Sequence, residues 1–224
     1  MQVNRQLDPT TGTWNNVIDV PRENTAPLLA KVLTITSLGF LVTAAGVVTA
    51  PAWGTIVGMI AVFGLIFAIN RARTKSPGMA LGLFVALTYF MGWMIAAGIQ
   101  RYIAVGGAGI VFQAAATTAL GMACMGIVAY LFSIDYRRLL GIAGAALLVL
   151  VLVGIVSMFF HFLAPNTYSW LTLGIFTLLT VGDFARIRAG GDGQSAVSLS
   201  LSIYLDAINI FLAILQLLSG RRRD

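Results

Sequence analysis

The sequence predicts an all-α integral membrane protein with seven transmembrane helices, the last one central and surrounded by the other six. Three observations predict it: the composition, seven long apolar runs, and a polar stripe along the last run. Of 224 residues, 58% are hydrophobic and 10% are charged, where a soluble domain carries roughly a quarter charged residues. Fourteen basic and eight acidic side chains cannot cover a soluble protein of this length. The mean hydropathy of +0.91 agrees.

A helix needs about 20 apolar residues to cross a hydrocarbon core of roughly 30 Å. Runs of that kind cover 26–50, 52–70, 77–99, 108–133, 139–162, 167–187 and 196–219. They are read as helices because lipid-exposed backbone must satisfy its own hydrogen bonds, and none alternates like a membrane barrel strand. Residues 1–25 form a polar N-terminal tail, expected to be loosely ordered and to carry no secretory signal. Residues 220–224 form a basic C-terminal tail. The runs are punctuated by Ala50-Pro51, Ser76-Pro77, Gly106-Gly107, Ala164-Pro165-Asn166 and Gly190-Gly191-Asp192-Gly193. Gly54 with Gly58, and Gly78 with Gly82, have the spacing of close helix contacts.

Basic residues set the orientation. The 2–3 loop holds Arg71, Arg73 and Lys75, the 4–5 loop Arg137 and Arg138, and the 6–7 loop Arg186 and Arg188. The 1–2 and 5–6 loops hold none, and the 3–4 loop only Arg101. The N-terminus is therefore expected in the cytoplasm. Seven crossings then put Arg221-Arg222-Arg223 outside, against the same rule. Because the basic residues lie between apolar runs, they read as topology signals and not as a nucleic-acid surface. Cys124 is the only cysteine, so no intramolecular disulfide forms. His161 is the only histidine, at the end of the fifth run.

Two of the eight acids, Asp183 and Asp206, fall inside apolar runs. A charge at mid-membrane costs about 2.5–3.5 kcal/mol on insertion scales, and such residues face a protein interior or a water-filled cavity. Asp206 lies roughly 15 Å into the last run. Ser195, Ser198, Ser202, Asp206, Asn209 and Gln216 share an arc of about 80° at helical periodicity. That stripe turns the seventh helix inward. Asp183 ends the sixth run on the side where the seventh begins, so both acids share one half of the membrane. Arg71 ends the second run on that side and is a candidate ion-pair partner. Such a cluster can sense pH, bind a hard cation through oxygen, or activate water.

The stretch from Ser198 to Gln216, above all Ser202-Ile-Tyr-Leu-Asp206-Ala-Ile-Asn209, resembles the signature of the transmembrane Bax inhibitor motif family, in a member of bacterial type. Val181-Gly-Asp183-Phe matches the family's aspartate at the end of its sixth helix. The family's Tyr-Asp pair there is Gly182-Asp183 here, a departure. The resemblance implies a pH-sensitive passive calcium leak in a bacterial inner membrane. In it, Asp183 and Asp206 act as pH sensor and gate and hold calcium transiently, Arg71 is the latch, and Ser198, Ser202 and Asn209 line the pore. It also implies an alternative, a non-transporting regulator of partner membrane proteins, such as cell-death proteins or a membrane protease.

Calcium and the lipid bilayer are then the partners, with a membrane protein as a further one, and no cofactor or catalytic residue is expected. No Gly-x4-Gly-Lys-Ser/Thr loop is present to drive uphill transport. An intramembrane aspartyl protease also uses two membrane aspartates, but here Thr180 replaces the first glycine of its Gly-x-Gly-Asp motif, the order of the two acid helices is reversed, and its Pro-Ala-Leu motif is missing. A Schiff-base receptor is excluded because the only lysines are Lys31 and Lys75.

Overall fold

The computed structural model describes residues 3–7, 14–18, 25–72, 77–160 and 163–220. Seven α-helices follow one another: α1 (Ala26–Thr49), α2 (Gly54–Ala72), α3 (Pro77–Gly106), α4 (Gly109–Leu131), α5 (Tyr136–Phe160), α6 (Pro165–Arg188) and α7 (Ala196–Gly220). A single 3-10 turn, Gly191–Gly193, joins α6 to α7. Six helices (α1, α3, α4, α5, α6 and α7) are long and apolar enough to cross a membrane. The expected seventh crossing, α2, has a shorter apolar stretch, Gly54–Ile69.

Several boundaries differ from the sequence expectation. The tail contains β1 (Val3–Leu7) and β2 (Trp14–Ile18), which pair antiparallel with Val3 opposite Ile18 and Leu7 opposite Trp14. Their β-branched and aromatic residues favour extended backbone. Helix α3 runs on to Gly106, so Arg101 belongs to the helix and not to a loop. It stops where Gly107 takes a φ of 73° and donates its N–H to the Ile103 carbonyl at 2.7 Å, the left-handed ending that favours glycine. Helix α5 begins early, at Tyr136, because the Asp135 carboxylate accepts the Arg138 N–H at 3.3 Å and caps the helix. Arg186 and Arg188 are likewise helical, in the last turn of α6, where cations suit the helix dipole. Arg73, Lys75, His161 and Arg221 to Arg223 lie outside the described residues.

Helix α7 is the most enclosed element, and none of its residues is exposed. Helices α1, α3, α4 and α6 pack against it, whereas α2 packs on α3 and α5 on α6. The expected ring of six is thus narrowed to a shell of four with two outer helices. The physical reason is room: helices pack at axial distances of about 8–10 Å, and α3 and α6 already occupy the positions between α7 and the outer pair. Tyr204 locks the centre of this shell. Its hydroxyl meets the Thr43 hydroxyl at 2.6 Å, and Thr43 also donates to the Thr88 carbonyl at 3.0 Å, tying α1, α3 and α7 together. One turn away, Ser200 donates to the Val32 carbonyl at 3.1 Å. Helix α5, by contrast, shows lipid a broad apolar face that includes Ile142, Leu148, Leu152 and Phe159.

Close approach is carried by glycine at the contacts of α3. A Cβ on Gly58 would stand 2.7 Å from both the Phe90 carbonyl oxygen and the Met94 nitrogen. Gly46 and Gly92 face each other in the same way across α1 and α3. The expected pair Gly78 and Gly82 does not serve this purpose, because both face open space.

The α6–α7 turn is pinned from outside. Asp192 adopts a left-handed φ of 54° between glycines of positive φ. Its carboxylate accepts the Tyr136 hydroxyl and an Arg137 N–H, each at 2.9 Å. Both bonds hold its pKa below the ordinary carboxylate value. A depressed folded-state pKa means that the contribution is present above the unfolded value of about 3.9 and is lost as pH falls through the folded one. The protection of amides 190–194, relative to the intrinsic exchange rate at each pH, should therefore fall below about pH 4. Asp192→Asn should show the faster exchange already at neutral pH, and equal protection of the two proteins there contradicts the pin.

Candidate functional site: a carboxylate pair between α6 and α7

The tight glycine turn sends α7 back along α6. Thr180 and Asp183 lie one turn apart on α6, and Ser202 and Asp206 one turn apart on α7, so four polar side chains face one another across the helix pair. Asp183 and Asp206 are only 5% and 6% exposed. Arg186 Nη2 donates to Asp183 Oδ1 at 2.7 Å and reaches Ser202 Oγ at 3.4 Å. The Thr180 hydroxyl donates to the Phe176 carbonyl at 2.7 Å and lies 3.4 Å from Asp206 Oδ2. The two carboxylates sit within each other's field and that of Arg186. Two acids against one guanidinium make a patch whose neutral form carries one proton.

Both predicted acids are thus brought together, as the sequence implies. The latch differs. Arg71 lies exposed at the end of α2, and the guanidinium bonded to Asp183 belongs to Arg186. The reason is local: Asp183 and Arg186 stand at i and i+3 of one helix, so they meet without help from α2. The run boundaries in the sequence put Arg186 in the 6–7 loop. The signal that finds it is that spacing, once α6 is extended to Arg188. Thr180, too, stands out in the sequence only as a missing glycine. Its place one turn before Asp183 is what aims it at Asp206.

The polar stripe of α7 divides into separate tasks. Ser195 accepts the Ser198 N–H at 3.2 Å and caps the helix, while the Ser198 hydroxyl donates to the Gln194 side chain at 3.1 Å. Ser202 and Asp206 join the carboxylate patch. Asn209 donates to the Leu205 carbonyl at 2.8 Å. Together with Gln216, Tyr102, Tyr168 and Ser169 it lines a separate cavity of about 370 Å³ between α3, α6 and α7. Among the described residues, no group of three or more His, Cys, Asp or Glu gathers to hold a metal ion.

Comparison with known proteins places the chain in a family. The chain is 27% identical over 196 residues to the modulator of FtsH protease YccA of Escherichia coli, covering 86% of this chain and 87% of that protein. A second E. coli strain carries the same relative under the name inner membrane protein YccA. An uncharacterized protein of Borreliella burgdorferi is 28% identical over 219 residues, covering 88% and 93% of the two chains. The family model Bax1-I, inhibitor of apoptosis-promoting Bax1, matches residues 25–223, which takes in all seven helices and both aspartates. The chain is therefore a membrane protein of the Bax1-I family.

Proposed function

We propose that this protein is a non-transporting regulator in a bacterial inner membrane, acting on a membrane-bound protease of the FtsH kind. The observation that carries this reading is the near full-length likeness to YccA, whose name describes a modulator of that protease. The geometry is compatible. Asp183, Arg186, Ser202, Thr180 and Asp206 link α6 to α7, so the carboxylate patch serves as a lock that holds the bundle rigid while its outer helices meet the partner. Buried polar groups of this kind can specify one packing arrangement even when they add little net stability.

The calcium leak implied by the family resemblance is the second reading. It draws on the two carboxylates sharing one guanidinium and on the polar cavity beyond them along α7. One reconstitution separates the two. FtsH and this protein are placed together in liposomes containing a calcium dye, and degradation of a membrane substrate is followed with calcium entry from pH 6 to 8. Regulation predicts a degradation rate that changes several-fold with added protein, and no calcium entry above empty liposomes. An unchanged degradation rate at every ratio rejects the regulator. A pH-dependent calcium entry abolished by Asp206→Asn, in protein that still folds, establishes the leak.

A further inference from the structure

The cavity of about 370 Å³ between α3, α6 and α7 lies apart from the carboxylate patch. Ser169 belongs to the first turns of α6 and Gln216 to the last turns of α7, whereas Asp183 and Arg186 stand near the other end of α6. Asn209, one turn from Asp206 on α7, bounds the cavity on its inner side.

Its polar groups are not used up by the fold. Thr172, Thr177 and Thr180 of α6 each donate to the carbonyl four residues back, at 2.7–2.9 Å. Ser169 does not. It is only 2% exposed, yet among the described residues no hydrogen bond engages its hydroxyl, which faces the cavity. A buried hydroxyl in that state bears the full cost of leaving water. Asn209 spends one N–H on the Leu205 carbonyl at 2.8 Å, which leaves its second N–H and its Oδ1. The Gln216 carboxamide is likewise unengaged among the described residues. These two carboxamides and one hydroxyl both donate and accept.

The rest of the lining sets the class of ligand. Among the described residues, no Asp, Glu, Lys, Arg or His borders the cavity, so an ion finds no counter-charge there. Met94, Ile95 and Leu212 make an apolar wall. Beside Gly98 there is room, since nothing lies within 4 Å of where a Cβ would stand. The volume is at the small end of ligand pockets, which run from roughly 300 to 1,000 Å³.

We propose that this cavity binds a small uncharged polyol, its neighbouring hydroxyls meeting Ser169, Asn209 and Gln216 and its C–H edge covering the apolar wall. An apolar solute leaves the three polar side chains unpaired. Water pairs them but wets the wall that a C–H edge removes from water.

The test uses the full chain in phosphatidylcholine nanodiscs and glycerol-free buffer. Saturation-transfer NMR compares erythritol with erythronate, which has the same carbon chain but carries a carboxylate. Erythritol should receive saturation above that in empty nanodiscs, and erythronate should stay at that background. Ser169→Ala, which removes one oxygen, should weaken erythritol binding about fivefold, the size of one hydrogen bond between neutral groups. Gly98→Leu, which grows into the open space, should abolish it. Circular dichroism checks the fold of both variants. Monooleoylglycerol carries neighbouring hydroxyls on a lipid: if it displaces erythritol the natural source is a head group, and if it does not the source is a free solute. No transfer to erythritol overturns the proposal and leaves the cavity to water. So does equal transfer to erythronate, or binding unchanged in a folded Ser169→Ala or Gly98→Leu protein.

Discussion

Arg186→Gln should destabilise the protein by about 3–5 kcal/mol, the usual cost of leaving one member of a buried ion pair alone. Arg186 is the guanidinium bonded to Asp183, and the two side chains are 14% and 7% exposed. Without it, Asp183 and Asp206 face each other with no cation bonded between them. Asp183→Asn should cost less, because a neutral amide still accepts a hydrogen bond from Arg186. The double variant Asp183→Asn/Arg186→Gln should lose clearly less than the sum of the two single changes, since it removes both charges together. Arg71→Ala, at an exposed position, should cost less than Arg186→Gln, because an exposed ion pair contributes only about 0–1 kcal/mol. Thermal or denaturant unfolding in detergent, followed by circular dichroism, gives all four values. Strict additivity in the double variant, or a larger loss from Arg71→Ala than from Arg186→Gln, rejects the pair as the lock of the site.

Gly92→Ala should cost about 1–3 kcal/mol by overpacking, although alanine is otherwise the better helix former. The added methyl meets backbone that cannot swing aside. The Thr43 carbonyl lies directly over it, the Val47 nitrogen is 2.7 Å away and the Gly46 carbonyl carbon is 2.8 Å away. Helix α1 must therefore move outward, which strains the Thr43 contacts with Tyr204 and Thr88. The control is Gly82→Ala on the same helix, where nothing lies within 4 Å. It should be neutral or stabilising by up to about 1 kcal/mol. The same unfolding measurement compares them, and equal effects reject the close α1–α3 contact.

Much of the site is legible in the chain. A carboxylate inside an apolar run has few places to go, so Asp183 and Asp206 announce themselves by the cost of burying charge in lipid. The stripe from Ser195 to Gln216 follows from helical periodicity and marks α7 as the helix that turns inward. Arg186 is not announced in this way. An arginine at the end of an apolar run looks like any topology signal, and only the continuation of α6 to Arg188 turns it back onto Asp183. The glycines divide similarly. Gly58 and Gly82 look alike in the sequence, yet one carries a helix contact and the other faces open space, because what matters is which neighbour faces each helix side.

Hydropathy and residue spacing act locally along the chain, so six of the seven expected crossings, the pair of buried acids and the family are readable in it. Which cation meets Asp183, which four helices pack against α7 and where a cavity opens between α1 and α4 are not readable there. Those outcomes depend on the lateral packing of helices distant in sequence. Inside a bilayer the hydrophobic effect sets no lateral arrangement, so close van der Waals fit and a few interhelical hydrogen bonds make the choice.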